Sequence, residues 1–193
     1  IDIDAWKTLP IEQVASGLSE TIKHGCLGDL ELFEYLEKNV DKIFAGDRAA
    51  CEYIAEHNCA VKYKVVMLDE RESGLRETLN LGHTVGRAIE TLSGYRLLHG
   101  EAVAIGMAAQ VRLGNKLGYI SQENMQRVID LYKAATIHFA HKNNTMTFQY
   151  NQHLIMPLHR TLCFHFLLTL KLVLFQIFHY NLTGLCNNLL HLI

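Results

Sequence analysis

Two histidines, His83 and His99, lie in positions from which they could bind a metal together. His83 belongs to a stretch of helical character, and His99 lies in a Leu-His-Gly-Glu turn that opens the next such stretch. Zinc binds nitrogen and oxygen ligands tetrahedrally, and a catalytic zinc usually has three protein ligands. Upstream, Glu20 offers a third ligand, and Lys23 would share its helix face and could hold an anionic substrate. Spacing alone leaves two ordinary roles open: hydrogen-bonded histidines and a surface Glu20–Lys23 ion pair.

The segment that contains His83 predicts a polar stripe. If residues Arg76 to Glu90 form one helix, a single narrow face collects a mixed polar set: Arg76, Asn80, His83, Arg87 and Glu90. The opposite face is apolar, with Leu81, Val85, Ala88, Ile89 and Leu92. A face that is merely solvated seldom combines cations, an amide, an imidazole and a carboxylate. The stripe therefore predicts a functional surface.

Several motifs, in this order, closely resemble those of the 3-dehydroquinate synthase family: SGLSETIKHG, DERESGLR, LNLGHTVG and LLHGEAVAIGM. The resemblance runs from about Ile3 to about Tyr132. It implies an NAD- and metal-dependent lyase of the shikimate pathway, which converts 3-deoxy-D-arabino-heptulosonate 7-phosphate into 3-dehydroquinate with loss of phosphate. It also implies a homodimer.

The resemblance assigns roles to individual residues. Glu20, His83 and His99 match the three zinc ligands of the family, and cobalt is chemically acceptable in the same site. The residues that match those holding the phosphate, carboxylate and hydroxyl groups of the substrate are Lys23, Lys62, Arg76 and Asn80. Such cations would offset the negative charge of the sugar acid phosphate and orient it, zinc would act as a Lewis acid, and NAD would carry the hydride.

Arg87 departs from the family pattern. The pattern reads Gly-His-Thr-x-Gly-His, whereas this chain has Gly-His-Thr-Val-Gly-Arg. In the family, the second histidine lies beside the phosphate and is implicated in the proton transfers. Arginine can bind phosphate but stays protonated and cannot act as a base near neutral pH. We therefore expect Arg87 to bind substrate, leave the catalytic base unknown, and expect zinc binding to survive better than turnover.

The sequence predicts a mainly α fold, the helical C-terminal domain of a two-domain plan. It contains no Gly-x-Gly-x-x-Gly motif to hold a pyrophosphate, so we expect the family's N-terminal NAD-binding α/β domain to be missing and the chain to be a fragment. Residues 1–10 look like the end of the last strand of that domain. The predicted helices are Ile11–Leu27, Asp29–Phe44, Asp47–Asp69, Arg76–Glu90, Ala102–Leu117 and a last helix capped by Ser121.

Core positions follow from the same periodicity. The second helix should bury Leu32, Phe33, Leu36, Val40 and Ile43. The third should bury Ile54, Val61, Val65 and Val66. Cys51 and Cys59 are also predicted in the core.

Composition divides the chain near residue 135. All 20 acidic residues lie within residues 1–130. We therefore predict a helical metal- and substrate-binding domain over 1–135 and an aberrant apolar tail over 136–193, produced by a shifted reading frame or read-through. Within the tail, residues 161–178 are long enough to span a membrane, but Lys171 and His165 make that costly, so no membrane association is expected.

Charge and cysteine content exclude some function classes. The net charge is −2 and no run of lysine and arginine occurs, so nucleic acid is not an expected partner. The five cysteines show no Cys-x-x-Cys spacing and read as free thiols in a reducing compartment. The expected location is cytoplasmic.

Three alternatives stay open. A metal-dependent polyol or alcohol dehydrogenase shares the two-domain plan, and related sugar-phosphate cyclases are closer still. Lys23, Arg76 and the run Asp69–Glu72 favour a cyclase that eliminates phosphate. The last alternative is a degenerate product that neither folds stably nor acts.

Overall fold

The computed structural model describes residues 1–71 and 74–143, with side chains as far as Thr136. Within these ranges the chain is helical and contains no strand. The helices are α1 (Ile11–Gly28), α2 (Leu30–Phe44), α3 (Arg48–Leu68), α4 (His83–Leu92), α5 (His99–Lys116) and α6 (Gln122–Asn143), and two 3₁₀ helices cover Ile3–Thr8 and Leu75–Asn80. The predicted mainly α fold is confirmed.

Side-chain caps set the starts of three helices. The carboxylate of Asp29 accepts the backbone N–H of Leu32 at 2.8 Å, and it is the one residue between α1 and α2. Asp47 caps α3 in the same way at 2.9 Å, and the hydroxyl of Ser121 caps α6 at 3.1 Å. Each cap satisfies a backbone donor that a helix start leaves unpaired, so these boundaries follow from local sequence.

The core is built around α1, which contacts α2, α3, α5 and α6. Ile22 on α1 and Met107 on α5 are fully buried, and the predicted inward face of α2 is buried throughout: Leu32, Phe33, Leu36, Val40 and Ile43. Tyr132 on α6 is also fully buried, and its hydroxyl donates to the Ser19 carbonyl on α1 at 3.0 Å. This packing holds α1 and α5 together at the centre.

The predicted single helix over Arg76–Glu90 is wrong. The chain forms a 3₁₀ helix over Leu75–Asn80 and then turns at Leu81 and Gly82 before α4 begins at His83. Gly82 has a φ of 80°, a left-handed conformation that an α-helix cannot contain and that favours glycine. Arg76 and Asn80 therefore do not continue the stripe of α4, which carries only His83, Arg87 and Glu90.

Three smaller expectations also need correction. Residues 1–10 contain the 3₁₀ helix Ile3–Thr8 instead of the end of a strand. Cys51 is buried as predicted, but Cys59 is exposed. The C-terminal half of α3 extends beyond the core. The valines predicted to be buried there (Val61, Val65 and Val66) are therefore only half-buried.

Most of the predicted tail over 136–193 lies outside the described residues, although α6 continues to Asn143. The apolar segment 161–178 lies outside them as well. Among the residues that are described, no helix has both the length and the apolar character needed to cross a membrane.

Candidate metal centre

Three side chains from three helices converge on one point. Nε2 of His83 on α4 lies 3.2 Å from Nε2 of His99 at the start of α5. Each of these nitrogens lies 3.5 Å from Oε1 of Glu20 on α1. The structure thus brings together the three residues that the sequence nominated as metal ligands, which form a potential cation-binding group.

The spacing of the three atoms suits a tetrahedral metal. Zinc bonds to nitrogen and oxygen of about 2.0–2.1 Å imply ligand atoms about 3.3–3.4 Å apart. The sides of the triangle are 3.2, 3.5 and 3.5 Å. Three donors at these distances leave the fourth tetrahedral position open, as in catalytic zinc sites.

The oxygen of Glu20 that faces the histidines has no hydrogen-bond partner among the described residues. Oε1 is buried without a hydrogen bond, whereas Oε2 pairs with Lys23 at 2.6 Å. A buried, unpaired carboxylate oxygen is costly, and a cation would satisfy it. Burial raises the pKa of Glu20, but the charge of Lys23 and its hydrogen bond act in the opposite direction, and that pKa stays below its ordinary value. The Glu20 carboxyl group is therefore ionised at neutral pH.

The remaining nitrogens of both imidazoles have acceptors. Nδ1 of His83 lies 3.0 Å from the carbonyl oxygen of Leu81, and Nδ1 of His99 lies 3.3 Å from Oε2 of Glu90. Each acceptor assigns the proton to Nδ1 and leaves a lone pair on Nε2, the usual arrangement behind a metal-bound histidine. Burial also lowers the pKa of His83, which keeps this imidazole neutral.

Close helix contact places His99 beside Glu20. The hydroxyl of Ser16, one turn before Glu20 on α1, accepts the backbone N–H of Gly100 at 3.0 Å. A Cβ atom at Gly100 would overlap the Ser16 carbonyl, so only glycine permits this approach. The first turn of α5 therefore contacts α1 at Ser16, one helical turn before Glu20.

A second close contact places His83 beside His99. A Cβ at Gly106 on α5 would overlap the backbone of Gly82, and one at Gly86 would press on the Ala102 carbonyl. The buried side chain of Gln110 accepts the backbone N–H of Gly82 and anchors the turn that precedes His83. Small residues and one buried amide thus bring α4 onto α5.

Lys23 adds a buried positive charge next to the three ligands. Its side chain is 4% exposed, and its ammonium donates to Glu20 and, at 2.8 Å, to the carbonyl of Leu79. Burial lowers the pKa of Lys23, and the charges of Lys62 and Arg87 act in the same direction. Both of these cations are exposed, and Arg87 lies one helical turn after His83 on α4.

The other two predicted substrate-binding residues are placed differently. The guanidinium of Arg76 donates to the Glu70 carbonyl at 3.1 Å, and its backbone N–H donates to the Asp69 carboxylate at 2.9 Å. Asn80 is half-buried at the end of the 3₁₀ helix. No contact in the described part of the chain joins either side chain to Glu20, His83 or His99.

Sequence reasoning assigned no role to three residues that support the centre. Glu90 was placed on the polar stripe without a partner, and Ser16 and Gln110 were not singled out. Gln110 offered a signal, since it is an uncharged polar residue within the small and apolar run of α5. Ser16 offered none, because its partner lies 84 residues away.

Comparison with known proteins shows the family of the chain. The family described as 3-dehydroquinate synthase C-terminal matches residues 17–156. A 3-dehydroquinate synthase of Acetivibrio thermocellus is 45% identical over 128 residues, which are 66% of this chain and 36% of that protein. One of Caldanaerobacter subterraneus subsp. tengcongensis is 47% identical over 136 residues, or 70% of this chain and 38% of that protein.

A solved structure shares the fold. It is the 2-epi-5-epi-valiolone synthase ValA of Streptomyces hygroscopicus subsp. jinggangensis 5008 with NAD⁺ and Zn²⁺ bound, at a TM-score of 0.67 and 26% identity over 70% of this chain and 38% of that one. The chain spans less than half the length of each of these relatives. The matched region and the helical fold show that the chain belongs to the 3-dehydroquinate synthase family, whose C-terminal part it matches.

Proposed function

We propose that this chain is the zinc- and substrate-binding part of a 3-dehydroquinate synthase. The observation that carries the proposal is the triangle of Glu20, His83 and His99, whose sides fit a tetrahedral metal and whose buried oxygen lacks a partner. Zinc is the metal named in the structure of ValA, and cobalt stays a prediction. When bound, zinc would act as a Lewis acid on a hydroxyl or ketone of the substrate.

The residues around the triangle would bind and orient an anionic substrate. The sugar acid phosphate of this reaction carries negative charge, and the buried ammonium of Lys23, with Lys62 and Arg87 nearby, offers positive charge beside the metal position. Charges fixed in a partly desolvated site stabilise an anion more than they would in water. Arg76 and Asn80 stay predicted contacts for the phosphate, carboxylate and hydroxyl groups.

The metal assignment is tested by zinc titration of the chain. His83→Ala and His99→Ala should each weaken zinc binding on the order of 100-fold or more, because two protein ligands seldom hold zinc in a catalytic site. His57→Ala is the matched control, since His57 pairs with Asp29 at 2.6 Å instead. Zinc affinities of both test variants equal to that of the parent would refute the site.

Arg87 is tested in a full-length chain that includes an NAD-binding domain. Arg87→His should raise kcat at least about tenfold, because histidine can transfer protons near neutral pH and general acid–base catalysis is typically worth about 10²–10⁴-fold. Equal rates for the two proteins would show that no proton transfer depends on this position.

Phosphate release separates this function from its alternatives. A cyclase releases inorganic phosphate and returns NAD to its oxidised form, whereas a polyol dehydrogenase accumulates NADH and releases no phosphate. The match to 3-dehydroquinate synthases favours a cyclase. A degenerate product would show neither zinc binding nor cooperative unfolding, and sequencing the coding DNA around residue 135 would test the proposed frameshift. The cytoplasmic location, the homodimer and the lack of nucleic-acid binding stay predictions.

A further inference from the structure

A chain of hydrogen bonds joins α1 to α3 next to the candidate metal centre. Oδ1 of Asn58 on α3 lies 2.7 Å from Nδ1 of His24, and Nδ2 of Asn58 donates to the Thr21 hydroxyl at 2.7 Å. The Thr21 hydroxyl in turn donates to the Gly17 carbonyl at 3.2 Å. Asn58 thus bridges two residues of α1 that lie three positions apart, and these residues adjoin Glu20 and Lys23.

The direction of each bond in this chain is determined. Thr21 donates its hydroxyl proton to the Gly17 carbonyl, so the Thr21 oxygen accepts from the amide nitrogen of Asn58. The amide oxygen of Asn58 must then accept from Nδ1–H of His24. Burial lowers the pKa of His24, so the imidazole is neutral and carries its proton on Nδ1. A network of three directed hydrogen bonds favours one relative placement of α1 and α3.

Asn58 lies where α3 leaves the core. Cys51 and Ile54 on the inner half are 1% exposed, whereas Cys59 and the residues after it are exposed or half-buried. Lys62 follows Asn58 by one helical turn and shares its face. The bridge is therefore the last side-chain hydrogen bond between α3 and α1 before Lys62 in the described part of the chain.

Lys62 lies one helical turn after Asn58, which contacts α1 on either side of Lys23, at Thr21 and His24. The charge of Lys62 also lowers the pKa of His24. Two ammonium groups repel each other, so their proximity must be maintained by the packing of the helices that carry them. An anionic group that contacts both ammonium groups would offset this repulsion.

We propose that Asn58 is a positioning residue: its bridge to Thr21 and His24 holds α3 on α1 so that Lys62 and Lys23 bind one anionic group of the ligand together. This inference rests on the proposed function, in which both lysines bind the substrate. Asn58 touches no ligand in this role and acts only through Lys62.

Inorganic phosphate is the probe, titrated into the chain at constant ionic strength and followed by ³¹P line broadening. Lys62→Ala should weaken phosphate binding about threefold to fivefold, the range of a partly exposed ion pair. Asn58→Ala should weaken it by nearly the same factor, and the double variant should bind no more weakly than Lys62→Ala alone. Such non-additivity places the two residues in one interaction. Zinc affinity, measured without phosphate, should not change in either variant.

Controls separate positioning from a general loss of structure. Asn39→Ala removes an asparagine that donates only to the backbone of α2 at 2.9 Å, and it should leave phosphate binding unchanged. Thr21→Val keeps the shape but removes the acceptor for Asn58, so it should weaken phosphate binding in the same direction even if Asn58→Ala does not fold.

The outcomes that contradict the proposal are distinct. Additive losses in the double variant, or parent-like phosphate binding in both Thr21→Val and Asn58→Ala, would overturn the role of Asn58. Parent-like binding in Lys62→Ala would instead refute the proposed anion site itself.

Discussion

At the residue scale, the candidate metal centre is a set of three lone-pair atoms: two imidazole nitrogens and the carboxylate oxygen of Glu20 that does not face Lys23. The Nδ1 protons of both histidines have acceptors in Leu81 and Glu90, so two Nε2 lone pairs and a carboxylate oxygen face one another. Such a cluster repels itself until a proton or a metal ion occupies it. The proposed metal ion would relieve this repulsion, and the hydrogen-bond acceptors behind the two histidines favour that arrangement.

The role of Glu90 in orienting His99 can be tested by substitution. Glu90→Ala removes the acceptor that orients His99 and should weaken zinc binding about 10–100-fold, the usual cost of losing a partner behind a metal ligand. Glu90→Gln keeps an acceptor oxygen and should lose much less. Zinc titration gives the affinities, and ¹⁵N shifts of His99 report whether Nε2 keeps its lone pair.

Glu56→Gln on the exposed face of α3 serves as the matched control and should bind zinc as the parent does. If Glu90→Ala also binds zinc with the affinity of the parent, the carboxylate has no part in orienting His99.

At the element scale, two glycine contacts bring the three ligand helices together. Gly100 lets α5 touch α1 at Ser16, and Gly106 lets α5 touch the Gly82 turn before α4. α4 is short and carries only two buried residues, His83 and Gly86. Its position therefore depends on this contact and on Gln110 more than on an apolar face of its own.

Gly100→Ala and Gly17→Ala should act in opposite directions. At Gly100 the new methyl group would overlap the backbone of α1, so we expect a loss of about 1–3 kcal/mol or more in the free energy of unfolding and weaker zinc binding. At Gly17 nothing lies within 4 Å, so alanine should stabilise α1 by about 0.5–1 kcal/mol. Urea unfolding measures both.

The Gly100→Ala variant also tests whether α5 must approach α1 closely. If Gly100→Ala unfolds at the urea concentration of the parent and binds zinc normally, α5 does not need to approach α1 as closely as described.

At the scale of the whole molecule, burial of neutral histidines links folding to pH. Burial lowers the pKa of both His24 and His83 from the ordinary value of 6.5. As the pH falls, the unfolded chain therefore takes up protons at these positions before the folded chain does. Their contribution to stability is complete above pH 6.5 and is lost as the pH falls through the lower folded pKa values.

We therefore expect the free energy of unfolding, measured by urea with a chelator present, to fall between pH 7.5 and pH 5.5. His24→Gln should show a shallower fall over that range, because one of the two groups no longer titrates. A parent protein with the same stability at both pH values, or a variant with an undiminished slope, would contradict this account.

The sequence alone determined the helical class, the starts of α2 and α3 at Asp29 and Asp47, the cap of α6 at Ser121 and the buried face of α2, because helix starts and periodicity depend on a few neighbouring residues. It also determined which residue types could bind a metal. The tertiary structure decided how they meet: the break at Gly82, the partners that set each histidine's tautomer, and the bridge at Asn58. Such features depend on contacts between distant segments, such as that of Gly82 with Gln110, and no local pattern encodes them.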